Sequence, residues 1–214
     1  MLKTGLPSFD AVFGGLTQSG INTVLCVDQS SKSAFTSKVV TSALRNKVVS
    51  YIDLDTAFSA YLRAGFITVQ GTENLLLYTP EGKNIEKAVI QVCSVRHPTL
   101  GLLVFDSVTT FYHLFSDTAD FGDLNRRIGL YLSMFQSLAS RLDVAIVVIS
   151  MLRAKKAVKS GVESWFPSAS GGRVLAKSST LIISLNEQHQ KLRITMMKHP
   201  RSELVGTFVE EPLT

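Results

Sequence analysis

Cys26-Val27-Asp28-Gln29-Ser30-Ser31-Lys32-Ser33 joins an apolar run, Ile21 to Val27, to a helical pattern that opens at Ser33. Strand, lysine-serine pair and helix follow one another as they do around a phosphate-binding loop, G-x-x-x-x-G-K-[ST]. That loop needs glycine, because successive backbone N–H groups curl round a phosphate at φ values that a Cβ resists. No glycine lies between Gly20 and Gly65. The stretch predicts an α/β layout, and ordinary ATPase chemistry is not expected of it.

Strand candidates alternate with helix candidates on either side of this stretch. The strands are Ile21–Val27, Lys47–Ile52, Leu75–Tyr78, Leu100–Phe105 and Val144–Ile149, and the helices Ser33–Arg45, Phe58–Arg63, Ile85–Arg96 and Asp123–Arg141. The last helix carries Leu124, Ile128, Tyr131, Phe135, Leu138 and Leu142 at spacings of three or four, with Asp123 as its expected N-cap. Pro7 opens a short helix that Gly14-Gly15 closes. Leu100–Phe105 and Val144–Ile149 are almost wholly apolar, as in strands covered on both faces, so a mostly parallel sheet flanked by helices is predicted. From about residue 178 the pattern becomes Ser179–Leu185, Lys191–Met197 and Leu204–Val209, three antiparallel hairpin strands that extend one edge. Segments 113–122 and 153–172 lack periodicity and read as long loops, which in such domains are functional or disordered.

Composition narrows the function classes. The 214 residues suit one α/β domain over 1–214 with no separate N-terminal domain. No long uncharged apolar run and no signal-peptide core occur, so a cytoplasmic protein without membrane contact is expected. Cys26 and Cys93 sit in apolar runs without metal-ligand spacing and read as buried hydrophobes; no metal set is expected. The formal charge of +5 is compatible with a nucleic-acid partner.

The order of motifs resembles the RecA/RadA recombinase superfamily. T-G-L-P-S-F-D-A-V-F-G-G at 4–15 is similar to its T-G-x-x-x-L-D-x-x-L-G-G lead-in, and Y-I-D-L-D-T-A-F-S at 51–59 to its I-D-T-E-G-T-F-S strand end. L-L-V-F-D-S-V-T at 102–109 resembles the Walker B strand, and V-V-I-S-M-L at 147–152 stands where the family has V-I-T-N-Q. S-G-G-R-V-L-A-K-S-S-T at 170–180 is similar to G-G-x-x-L-A-H-x-S-T, and R-I-T-M-M-K-H-P-R-S at 193–202 to the late strand and K-H-R segment of RadB-type RadA paralogues. The resemblance covers most of the chain and implies a RecA-like ATPase core. The linker that docks RadA-type subunits would need residues upstream of that core, so a monomer, dimer or mixed complex is expected rather than a long filament.

The resemblance also assigns roles. Lys32 and Ser33 match the phosphate-contacting lysine and magnesium-binding hydroxyl, against the plainer reading of a solvated lysine in a first helical turn. Asp106, after five apolar residues, matches the Walker B carboxylate that holds Mg2+ through water; its alternative is a local backbone cap. Asp55 matches the catalytic glutamate one methylene short, and Asp53 is structural by the same comparison. Ser31 replaces the glycine before the lysine, and Asp28 brings negative charge to the phosphate position. Met151-Leu152 replace the Asn-Gln pair that couples the γ-phosphate to DNA. Hydrolysis is therefore expected to be feeble or absent. No cofactor is expected, ATP with Mg2+ being the candidate that Lys32, Ser33 and Asp106 leave open. Lys198 and Arg201 match basic residues that reach a neighbouring subunit's nucleotide, or are two exposed charges beside a turn.

Segment 153–172 stands where recombinases place their second DNA loop. It carries Arg153, Lys155, Lys156 and Lys159, then Trp165 and Phe166, with Arg173 and Lys177 following. Cations with aromatics suit a single strand, whose phosphates they neutralise and whose bases they stack; a solvated basic loop, or a protein-docking one, is the alternative. Segment 113–123, at the first DNA loop, is acidic through Asp117, Asp120 and Asp123, and its Phe115 and Phe121 suit a protein interface if exposed. The expectation is an accessory RadA paralogue in homologous recombination and DNA repair. It would bind DNA, single-stranded by preference, and RadA or another paralogue. The alternatives are a weak DNA-stimulated ATPase of the RadB type, and a non-catalytic RecA-fold scaffold outside recombination.

Overall fold

The computed structural model describes residues 1–82, 84–94, 97–159 and 162–213, and the side chains of 155–166 are outside that description. Its elements are α1 (Pro7–Val12), β1 (Ile21–Cys26), α2 (Gln29–Leu44), β2 (Val48–Asp53), α3 (Ala57–Arg63), β3 (Leu75–Tyr78), α4 (Asn84–Ser94) and β4 (Leu100–Asp106). They continue as α5 (Val108–Phe115), α6 (Phe121–Leu142), β5 (Ala145–Lys159), β6 (Val162–Ala169), α7 (Gly172–Ser178), β7 (Leu181–Gln188), β8 (Lys191–Lys198) and β9 (Phe208–Pro212).

The sheet runs β3-β2-β4-β5-β1-β7-β8-β9, with β6 paired to β5 alone. Pairings from β3 to β7 are parallel, and β7, β8 and β9 close the far edge as antiparallel neighbours. Period-two alternation sorts β2 between two cores: Val49 and Tyr51 face one, Val48 and Ile52 the other. The first core lies under α2, whose Phe35, Val39, Val40 and Ala43 are buried. The second lies under α4, α5 and α6, where Phe105 meets Phe135 at a centroid distance of 5.7 Å. Both faces of the central strands are thus covered, which is why they are nearly all apolar.

The lead-in motif has a structural use. The Asp10 carboxylate accepts from the N–H of Thr4 at 3.0 Å and of Gly5 at 3.2 Å, and Gly15, at φ +113°, lets Leu2 and Leu16 bridge. Glu211 of β9, itself buried, accepts from the Phe9 N–H at 2.9 Å and ties the last strand to the first helix.

Several expected boundaries move. Helix α2 starts at Gln29, four residues before Ser33, because Asp28 caps it. The N-cap of α6 is Asp120, which accepts from the Asp123 N–H at 2.8 Å, rather than Asp123. Segment 153–172 is largely a β-ribbon of β5 and β6 rather than a loop, and its tip, 160–161, lies outside the described residues. Segment 113–122 holds the end of α5 and the start of α6. Helix α4 ends at Ser94; the predicted continuation to Arg96 also lies outside the described residues. Cys26 is buried as expected, whereas Cys93 is half-buried. Among the described residues no helix is long and apolar enough to cross a membrane.

Candidate functional site

Only Val27 and Asp28 separate β1 from α2. A chain this short cannot wrap a phosphate, and the helix N-terminus is already served by Asp28. Its Oδ1 accepts from the Ser31 N–H at 2.6 Å, and its Oδ2 accepts from the Glu187 N–H on β7 at 3.3 Å. The Ser31 hydroxyl turns back to the Asp28 carbonyl at 3.1 Å.

One turn into α2, Lys32 is only 2% exposed. Its Nζ donates to Asp55 Oδ2 at 2.6 Å and to Asp106 Oδ1 at 3.1 Å. The helix supplies the cation, the end of β4 supplies Asp106, and the turn between β2 and α3 supplies Asp55. Tyr51 completes the group by donating its hydroxyl to Asp106 Oδ2 at 2.7 Å while its ring stacks on Phe58 at 4.2 Å. Asp53, opposite Asp106 in the β2–β4 register, accepts from the Ser59 N–H at 2.8 Å through Oδ2, and its buried Oδ1 has no partner.

Two carboxylates therefore share one ammonium with a third, Asp53, close by, and burial raises the energy of every uncompensated charge. Burial pushes the Asp106 carboxyl up to about 6, even though Lys32 and Tyr51 pull it down. Burial likewise raises Asp53 to about 6, against the hydrogen bonds from Ser59. Burial alone would lower the Lys32 ammonium, but the attraction of Asp106 and Asp55 outweighs it and holds its pKa above the ordinary lysine value.

Asp53, Asp55 and Asp106 each present a carboxylate oxygen within 4.8 Å of the others. The arrangement does not fit a magnesium triphosphate, however. Asp28 covers the helix N-terminus, Lys32 is turned into the carboxylates, and Ser33 lies elsewhere. The Ser33 side chain lines a groove of about 750 Å³ between the outer face of α2 and Tyr61, Phe66 and Ile67. Lys32, Asp55 and Asp106 are brought together; Ser33 is not brought to them. Neighbouring residues on a helix point about 100° apart, which accounts for the separation.

Other predicted residues are scattered. Lys198 donates to the carbonyls of Ala176 at 2.9 Å and Ser179 at 2.5 Å, closing the end of α7 in its own chain. Arg201 is exposed. Arg153 and Arg173 are exposed at the root of the β-ribbon and in the first turn of α7, and the side chains of Lys155, Lys156, Lys159 and Trp165 lie outside the described residues. Phe115 is buried beneath the Arg127 guanidinium at 4.2 Å, so it is not an interface residue. Phe121 is 71% exposed and stacks on Tyr112. Met151 and Leu152 are half-buried, and the Met151 N–H donates to the Thr109 hydroxyl at 2.9 Å.

Sequence reasoning missed Tyr51 and Thr56. Tyr51, read only as part of an apolar strand, alternates onto the α2 face beside Asp106. Thr56 takes a left-handed backbone, φ 59°, where the family pattern has glycine. That glycine position was the available signal, since a β-branched residue is rarely found there.

Two outcomes follow from the charge cluster. Lys32→Met strands the buried Asp106 carboxylate and removes the partner of half-buried Asp55, and should cost about 3 kcal/mol in urea denaturation; a loss under about 1 kcal/mol would contradict the pairing. The second concerns pH. Asp53 and Asp106 hold protons in the folded state above the pKa of an unfolded aspartate, so their penalty is absent below about pH 4 and complete above about pH 6. Asp53→Asn should therefore gain stability over the parent by on the order of 1 kcal/mol as pH rises from about 4.5 to 7. Melting curves with the same difference at both pH values would refute this.

Comparison with known proteins agrees with the fold. A comparison with curated proteins returns no match. A solved structure described as the crystal structure of the RadB recombinase superposes with a TM-score of 0.75 at 19% identity, covering 98% of this chain and 94% of that one. The Rad51 family profile matches residues 82–205, from the segment before α4 to the turn after β8, which takes in Asp106, the β-ribbon and Lys198. The chain belongs to the Rad51 family.

Proposed function

We propose that this protein serves homologous recombination and DNA repair as an accessory, nucleotide-independent Rad51-family subunit. It binds DNA and a RadA-type recombinase or another paralogue, with little or no ATP hydrolysis. The observation that carries this reading is the Lys32 ammonium, consumed by Asp55 at 2.6 Å and Asp106 at 3.1 Å in a family fold that is otherwise kept. A lysine so engaged is not free to meet a phosphate, and Asp55 is committed to it.

DNA contact is assigned to the β-ribbon. Its register sets Lys155 opposite Phe166 and Lys156 opposite Trp165, with Arg153 opposite Ser168 at the root. Exposed Arg173 follows in α7. Cations beside aromatics suit an extended strand, and the formal charge of +5 favours approach. A second reading, a weak DNA-stimulated ATPase, draws on the survival of Lys32, Asp55 and Asp106 within one cluster.

Anisotropy of a labelled single-stranded oligonucleotide tests the reading. Binding without nucleotide is expected, weakening about tenfold or more between about 50 and 200 mM salt. It should also fall when Lys155, Lys156 and Lys159 are changed to Gln. No binding at the lower salt, or binding that requires ATP, would overturn it.

A further inference from the structure

The groove of about 750 Å³ beside α2 lies away from the charge cluster and is used by nothing described so far. Ser30, Ala34, Ser37 and Thr41 form one wall. They recur every three or four residues, so they share a helix face, turned away from buried Phe35 and Val39. Small side chains leave this face open to close approach over about 16 Å, or three helical turns. The facing wall is held out by the backbone. Helix α3 ends in a glycine turn: Gly65 takes φ +74°, its N–H donates to the Leu62 carbonyl at 3.3 Å, and the Phe66 N–H donates to the Tyr61 carbonyl at 3.0 Å. In such a turn the residue after the glycine packs back on the helix. Phe66 meets the Tyr61 ring edge-on, with centroids 6.1 Å apart, yet remains 81% exposed at the mouth of the groove. Its position is thus fixed while its ring is left uncovered. Among the described residues the one charge lining the groove is Lys38, which is exposed.

We propose that this groove docks an acidic amphipathic helix of a partner protein. The apolar face of that helix lies along the small-residue wall and covers Phe66, and its carboxylates meet Lys38. Three turns supply apolar anchors at i, i+4 and i+7, the spacing with which a helix fills a groove. Charge selects the occupant. Lys38 and exposed Arg63, at the end of α3, lie on a chain of formal charge +5. An acidic segment is drawn to them, whereas a second copy would set positive surface against positive surface. No groove residue belongs to the β-ribbon, so the inference stands apart from the DNA reading.

Fluorescence anisotropy on the full chain tests this with two labelled, stapled helical peptides of about 12 residues. Both carry Leu, Phe and Leu at i, i+4 and i+7; one has Glu at its other surface positions and the second has Lys. The acidic peptide is expected to bind at least about tenfold more tightly than the basic one, and to lose about tenfold or more in Phe66→Ser and in Lys38→Glu. Ile90→Ser, which removes an exposed apolar side chain on α4 outside the groove, should change nothing. Circular dichroism checks that each variant is folded. Equal binding of the two peptides, no binding of the acidic one, or binding that survives both groove variants overturns the proposal. So does self-association in sedimentation that Phe66→Ser abolishes, which would give the groove to a second copy.

Discussion

A lysine ammonium held between two aspartates, almost wholly out of water, organises the carboxyl edge of this sheet. Lys32 comes from α2, Asp106 from β4 and Asp55 from the turn after β2, so the ion pairs pin a helix to two strands that the chain visits far apart. A buried pair adds little net stability over an apolar one, but losing one partner is costly, because the other charge stays behind without water. Withdrawing Lys32 would therefore leave Asp106 buried without a counter-charge.

The surrounding fold explains how the cluster is reached. Parallel strands bring their carboxyl ends to one edge, and Asp53 and Asp106 sit side by side there because β2 and β4 pair in register. Open α/β sheets bind ligands at that edge, and here it is filled by the protein's own groups. Asp28 satisfies the N–H of Ser31, Lys32 satisfies the carboxylates, and Tyr51 caps Asp106 from below. Raised carboxyl pKa values at Asp53 and Asp106 fit an edge that carries more negative charge than its one ammonium can balance.

Much of this was legible in the sequence, and the misses have physical causes. The central strands declared themselves because burial on both faces leaves almost no polar residue in Leu100–Asp106. Lys32, Asp55 and Asp106 were found through their places in the family pattern. That they would pair with one another was hidden, since they lie 23 and 74 positions apart in the chain. The start of α2 was misplaced because the lysine-serine pair was read as the loop's end, whereas Asp28 is itself an N-cap residue type placed just before the helix. The β-ribbon gave no periodic signal: among the described residues β6 pairs with β5 and no other strand, and the sequence from Leu152 to Lys159 carries no alternating apolar pattern. Seven-residue α7 begins at Gly172, and the left-handed turn at Gly171 starts it without a side-chain cap.

We propose that this edge is filled from within and leaves no place for a nucleotide. Calorimetric titration of the parent protein with ATP and magnesium, paired with a phosphate-release assay on the same sample, tests it most directly. The account predicts no saturable heat at micromolar ATP and no turnover above background. Saturable micromolar binding, with phosphate release that disappears when Lys32 is removed, would contradict it.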